Sequence, residues 1–340
     1  MISAAKEPAA GLPVKTGAVG LDGNAEHGPF LRLGYRTDGP LSFEESADGS
    51  GTLWLPAESS LPAADPLFLA VPGAAFRQCG PFRVWANDDT LAGVGLVPAS
   101  AESLARAAHD VYAHLFTVAR GYNLCRIWNW VPDINECGPG DPPRENYREF
   151  CLGRSAAFAA AFGDEPERWM PAGTAVGLRG DTLAVLFTAV RAPVEHRENP
   201  RQVPAYRYPA RYGPRPPSFA RATMVRASAA EDCDCLLVSG TASIIASESR
   251  FPEDLAGQLR VTVENLRLMG VEGTSSAAEA ARRHFRVYIR RWEDCAAVRS
   301  VLEDSLLRGK DRVVYVHADI CRKELLVEVE ATLFTPAGAL

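Results

Sequence analysis

The sequence predicts an α/β (α+β) protein of two fused domains, each a mixed sheet backed by helices. Three observations lead there. The order helix, strand, helix, strand, strand is written twice, offset by about 145–150 residues, and a repeat of that kind marks a duplicated domain. Hairpin-like strands precede each copy, so strands and helices alternate as they do in a mixed sheet covered by helices. The 340 residues give room for about two domains of ordinary size.

In the first hundred residues, short strands stand between Gly-, Pro- and Asp-rich turns at 29–35, 52–56, 66–71 and 82–86. The segment 101–122 reads as a helix. Leu104, Ala108, Val111, Leu115, Val118 and Tyr122 recur at helical spacing, and Ser100 is placed to cap it. A strand follows at 123–131, then a helix over 144–162 carrying Tyr147, Phe150, Cys151, Phe158 and Phe162. Residues 174–190 read as two strands around an Arg-Gly-Asp turn. In the second half, strands at 219–227 and 235–246 lead to a helix over 252–269 with Leu255, Leu259, Val263 (or Leu266) and Met269 on one face. A strand at 284–292, a helix at 294–308 and strands at 312–318 and 324–334, joined by a short turn, complete the second copy.

Between the copies lies 193–217, Pro-rich like a linker. It holds three tyrosines and several arginines, which a spacer has little need of, and loops between rigid domains often carry function. The expected division is 1–192, a connecting segment 193–218 that contributes to a pocket, and 219–340.

Apolar residues make up 47% and charged residues 23%, an ordinary globular balance that lets a chain this long bury a core without staples. The net charge of -6 is spread along the chain, so no basic tract marks a nucleic-acid or anionic-membrane site. Residues 1–17 lack the apolar core of a signal peptide, and no apolar run approaches the roughly 20 residues of a membrane span. The eight cysteines form no C-x-x-C pair, and His109 and His114 stand five apart rather than four. A cytoplasmic protein with reduced thiols and no metal is expected.

Two features could carry chemistry. In the strand at 324–334, Leu326, Glu328 and Glu330 share one face while Leu325, Val327, Val329 and Ala331 share the other. Pattern alone fits an edge strand with its acids in water. The repeat adds a contrast: aligning Ala189 with Ala331 sets Leu186 against Glu328 and Thr188 against Glu330, so only the second copy has the acids. The other feature is a set of arginines, Arg154, Arg201, Arg215, Arg221 and Arg312, grouped around the Pro/Tyr segment. A guanidinium fork matches a carboxylate, so an anionic ligand is expected. No Gly-rich phosphate loop or nucleophile elbow is present.

Several strings carry a resemblance. The second half, with LVEVEA at 326–331, is similar to the YjgF/RidA (chorismate-mutase-like) fold, and Arg312 matches the arginine with which that family holds a substrate carboxylate. RIWNWVPDIN (126–135), YREFCLGR (147–154), PAYRYPARYGPRPPSFARA (204–222), SGTASIIASES (239–249) and the final strands resemble the chorismatases, which look like two fused YjgF-like domains. The resemblance covers most of the chain after residue 110, and the Tyr/Arg/Pro string is its most specific part.

What the resemblance implies is a cofactor-free enzyme that removes the side chain of chorismate as pyruvate and leaves 3-hydroxybenzoate. Glu328 matches the family's general acid. Cys321, seven residues before it, matches the cysteine of members that make 3-hydroxybenzoate, and Ala242 matches a small residue at which members differ. Arg215, Arg221 and Arg312 are the implied carboxylate ligands, with Arg154 beside them and Tyr206 and Tyr212 as hydrogen-bond partners. Diene-diol or mixed 3- and 4-hydroxybenzoate products stay open. Glu328 with Arg312 alone would also suit a small-anion binding protein or a deaminase of reactive enamines, against which the Tyr/Arg segment argues. A monomer is expected, since fused domains can build one cleft within a chain.

Overall fold

The computed structural model describes residues 30–60, 68–70, 74–100, 102–139, 142–226, 233–272 and 281–337. The stretch searched for a signal core, Ala101, and parts of the strands expected at 29–35, 66–71 and 219–227 lie outside the described residues.

A small sheet is built from β1 (Phe30–Arg36), β2 (Ser42–Glu45), β3 (Gly51–Pro56) and β4 (Phe68–Ala70), in the order β2-β3-β1-β4. Next come β5 (Ala75–Cys79), β6 (Phe82–Ala86), β7 (Thr90–Pro98), α1 (Leu104–Val118), β8 (Asn123–Pro132), α2 (Asn146–Phe162), β9 (Ala172–Leu178) and β10 (Thr182–Val190). The second half holds β11 (Val194–Arg197), β12 (Ala222–Val225), β13 (Cys233–Ala242), the hairpin β14 (Ile244–Ile245) and β15 (Glu248–Ser249), and α3 (Leu255–Leu268). It ends with β16 (Arg282–Ile289), α4 (Cys295–Ser305), β17 (Arg312–His317), β18 (Asp319–Ile320) and β19 (Val327–Pro336).

One large sheet contains the run β9-β8-β10-β7-β6-β5 and the other is β17-β16-β19-β13-β12-β11. Strand for strand the order is the same, and each has its parallel pair in the same place, β8 with β9 and β16 with β17. The repeat read in the sequence is a repeat of topology.

Burial follows the side-chain periods. Leu104, Ala108, Val111, Tyr112 and Leu115 of α1 pack with Phe150, Ala157 and Phe158 of α2 on the outer face of the first sheet. Leu259, Val263 and Leu266 of α3 and Val298 and Leu302 of α4 cover the second. The inner faces meet in a core that includes Trp85, Trp128 and Trp130 from one sheet, Tyr288, Val316 and Phe334 from the other, and Leu33 and Leu53 of the small sheet. The arrangement is helices, sheet, sheet, helices.

Three local expectations are corrected. α1 begins at Leu104 after a turn in which the Ser103 amide donates to the Ser100 carbonyl at 3.0 Å, so Ser103 rather than Ser100 is its first flanking residue. The last two strands of each copy are not a hairpin: β8 lies between β9 and β10, and β16 between β17 and β19. The helical crossovers α2 and α4 return the chain parallel to the strand before, so the final strand has to pass to that strand's other side. And β19 is a central strand rather than a wet edge. Val327, Val329, Ala331 and Leu333 face the helices, while Glu328 and Glu330 point between the two sheets and are only 4% exposed.

After β17 the chain leaves its own sheet. β18 pairs antiparallel with β9 (Asp319 with Gly177, Ile320 with Val176) and so extends the first sheet before the chain returns as β19. The two helices of the first half cross at Gly153, where a Cβ would stand 1.9 Å from the Ala105 carbonyl oxygen. That neighbour is backbone and cannot swing away, so Gly153→Ala should force α1 and α2 apart and lower the stability to urea by about 1–3 kcal/mol.

Candidate active site

Where β19, β13, β9 and α2 approach one another they leave a cleft of about 790 Å³, part of it open to solvent. Its wall includes Arg148, Arg154, Thr174, Tyr208, Tyr212, Arg221, Gly240, Ala242, Cys321, Arg322 and Glu328. Of the residues singled out in the sequence, the structure brings together Glu328, Cys321, Arg154, Arg221, Tyr212 and Ala242.

Three of the arginines and one tyrosine lie elsewhere; Arg201 pairs with Glu264 of α3. Arg312 is exposed at the start of β17 and aligns with His284, whereas Glu328 aligns through Tyr288 with Val316. Four residues of strand, about 13 Å, separate those register positions. Arg215 is exposed, and Pro217 takes the wall position in its place. Tyr206, on the single turn Ala205–Arg207, packs against the α1–α2 core instead.

Glu328 and Glu330 share a face of β19 and meet opposite environments. Glu330 accepts hydrogen bonds from Arg126 (2.8 Å), Trp128 Nε1 (2.9 Å), Thr174 Oγ1 (2.6 Å) and Arg286. Burial opposes its ionisation, but Arg286, Arg126 and the hydrogen bonds prevail and hold it below the usual carboxylate range. Glu328, among the described residues, has no hydrogen-bond partner. Burial first, then the charge of Glu330, raise it to about 8, against the weaker pull of Arg126, Arg221 and Arg290. It therefore carries a proton at neutral pH.

Room for that carboxyl is made by an irregularity in β13. Ala242 pairs directly with Glu328, and the register slips between Val238 and Thr241. Gly240 sits in the slip, where a Cβ would stand 2.0 Å from Glu328 Oε1. The Gly240 amide donates to Thr174 Oγ1 at 3.0 Å, and the same hydroxyl donates to Glu330. The charged acid thus pins the backbone that gives the neutral acid its space.

The cationic wall is specific. Arg154, on α2, is buried and lies over the Phe150 ring at 4.7 Å; among the described residues it forms no ion pair. Arg221 spends Nη2 on the Val203 carbonyl (3.1 Å) and the Tyr208 hydroxyl (2.8 Å). Arg322 lies over the Tyr212 ring at 4.0 Å and donates to the Ser247 carbonyl and to Ser249 Oγ, both at 3.0 Å. Cys321, partly buried beside it, is held well above the usual thiol range by burial and by Glu328, so it is a neutral thiol. An apolar-backed cleft with arginines at its wall and one protonated carboxyl can bind an anion and deliver a proton to it.

Sequence reasoning missed Tyr208, Arg322, Thr174, Gly240 and the Glu330 network. Tyr208 stood in the Tyr/Arg/Pro string and Arg322 next to Cys321, so both were within sight; nothing in the sequence marks Thr174 or Gly240.

A family model described as "Chorismatase FkbO/Hyg5-like, N-terminal" matches residues 72–189. A 3-hydroxybenzoate synthase of Streptomyces hygroscopicus is 39% identical over 240 residues, covering 67% of this chain and 69% of the relative. A chorismatase of Streptomyces rapamycinicus is 39% identical over 261 residues, covering 73% of this chain and 76% of the relative. The chain belongs to the chorismatase family. A crystal structure of a chorismatase superposes with a TM-score of 0.76 at 29% identity, covering 94% of this chain and 96% of the other. As a chorismatase-family fold, the structure has the two sheets and their helices that the repeat implied. Among the described residues, no helix is long and apolar enough to cross a membrane.

Glu330→Gln tests the charged half of the acid pair. It removes the charge that Arg126 and Arg286 both pair with in the buried seam, so unfolding free energy should fall by about 3–5 kcal/mol, read from the denaturant midpoint.

Proposed function

We propose that this chain cleaves chorismate to pyruvate and 3-hydroxybenzoate, with Glu328 as the general acid. The observation that carries the reading is the Glu328 carboxyl: buried, without a hydrogen bond among the described residues, protonated through neutrality, and set in a cleft walled by arginines. The names of the relatives supply the substrate and product classes.

Chorismate is a dicarboxylate with a vinyl ether. Arg154, Arg221 and Arg322 suit its carboxylates, while Tyr208 and Tyr212 line the same wall. Breaking the ether needs a proton on the enol methylene carbon, and a protonated carboxyl is the group that can place one there. The resulting oxocarbenium leaves as pyruvate with its ether oxygen when the neighbouring ring hydroxyl oxygen attacks the ring carbon. The hydroxyl proton returns to the Glu328 carboxylate. An arene oxide remains, and its opening and loss of the ring proton give 3-hydroxybenzoate without net water. Cys321 meets that epoxide as a thiol and steers it to the 3-hydroxy isomer. Ala242, paired with Glu328, limits how deeply the ring sits beside the acid. Both halves of the chain line the cleft, so we read the active unit as a monomer.

Glu328→Gln should lower pyruvate release by about 10²–10⁴-fold while the circular dichroism spectrum is kept; near-normal turnover would remove Glu328 from the mechanism. The protonated form is the active one, so kcat should be level through neutrality and fall as pH rises through about 8. Cys321→Ala should shift product from 3-hydroxybenzoate towards the diene diol on chromatography, with pyruvate still formed; an unchanged aromatic yield would exclude the thiol.

A further inference from the structure

Glu198 follows β11, touches Arg221, and is used by no step above. Among the described residues both its carboxyl oxygens are shielded from solvent and make no hydrogen bond of normal geometry, although the Arg221 amide as well as its guanidinium favours the ionised form. Arg221 Nε stands 4.0 Å from Glu198 Oε2 and is itself buried without a hydrogen bond. With Nη2 given to Val203 and Tyr208, Nη1 is left for a ligand in the cleft. Two opposite charges that are buried together and do not close a hydrogen bond are poorly compensated for lost hydration. A proton on the carboxyl removes most of that cost and leaves the arginine's charge to the cleft.

Other groups face Glu198 as well. Arg207 and Tyr206 approach from the turn at Ala205–Arg207, and Glu167 reaches Tyr206 in turn. His196, two residues earlier on β11, is lowered to about 4 by burial and stays neutral. None of these groups lines the cleft, whereas Arg221 does.

We propose that Glu198 is a positioning residue whose charge sets how much of the Arg221 cation is offered to a carboxylate in the cleft. The proposal rests on the reading of the cleft as a carboxylate site. Burial raises Glu198 to about 7, against Arg221 and Arg207. Below that value it is neutral and Arg221 acts on the ligand alone; above it, the ionised carboxylate competes for the same guanidinium. Affinity for an anion therefore falls as pH rises through neutrality.

The probe is 3-hydroxybenzoate, titrated by calorimetry into Glu328→Gln protein, which lacks the other carboxyl that titrates near this range. Between about pH 5.5 and about 8.5 the Kd should rise roughly tenfold, the size of a one-unit coupling. In the Glu198→Gln/Glu328→Gln protein it should stay at the tighter value throughout. A level Kd in the single variant, the same slope in both, or no binding in either would overturn the role of Glu198. Pyruvate release by the unaltered chain tests the cleavage reading by itself, so the two can fail separately.

Discussion

Glu330 is held from both sides by arginines that occupy matching places in the two halves. Arg126 on β8 pairs in register with Thr188, and Arg286 on β16 pairs with Glu330 itself, at the position that aligns with Thr188. One carboxylate answers both guanidinium groups across the seam between the sheets. Burying such a triad costs hydration that the ion pairs only repay with good geometry and extra hydrogen bonds. Trp128 and Thr174 supply those bonds. The arginine charge in this seam is therefore largely committed, and the acid two residues away receives little of it. Glu328 keeps its proton first because it is buried, and second because Glu330 beside it is charged.

The two topologically matching halves differ at this seam. Each copy presents an inner face of the same register, yet the first has Leu186 and Thr188 where the second has Glu328 and Glu330. Two sets of acids in one seam would put four carboxyls near two arginines, and like charges at that distance force protonation or separation. With one set, the first copy is free to contribute a cation, a tryptophan and a wall of α2 carrying Arg154.

Much of the fold was legible because helix and strand periods survive in the residues. Leu104 to Leu115 and Leu255 to Leu266 mark their helices, and the order of elements gave the duplication. The shared face of Glu328 and Glu330 was legible too, since alternation fixes which side chains go together. Burial was not, because a central strand with a polar inner face and an edge strand with a wet face have the same alternation. The position of Arg312 depends on register along β17, and register is set by neighbours far away in sequence. In the Tyr/Arg/Pro string, single helical turns decide which tyrosine looks inward, so Tyr208 and Tyr206 could not be told apart. Gly240 gave no sign because the slip it occupies exists only against β19.

The short strand β18 has a mechanical consequence. It belongs to the second half by sequence and to the first by hydrogen bonding, and Cys321 and Arg322 follow it directly. A motion that parted the sheets would have to unzip β18 from β9 and would carry both side chains off the wall. Arg322 is further tied to the connecting segment, since it lies over the rings of both Tyr208 and Tyr212. The seam is a rivet that holds the two halves, and the cleft wall with them, in one piece.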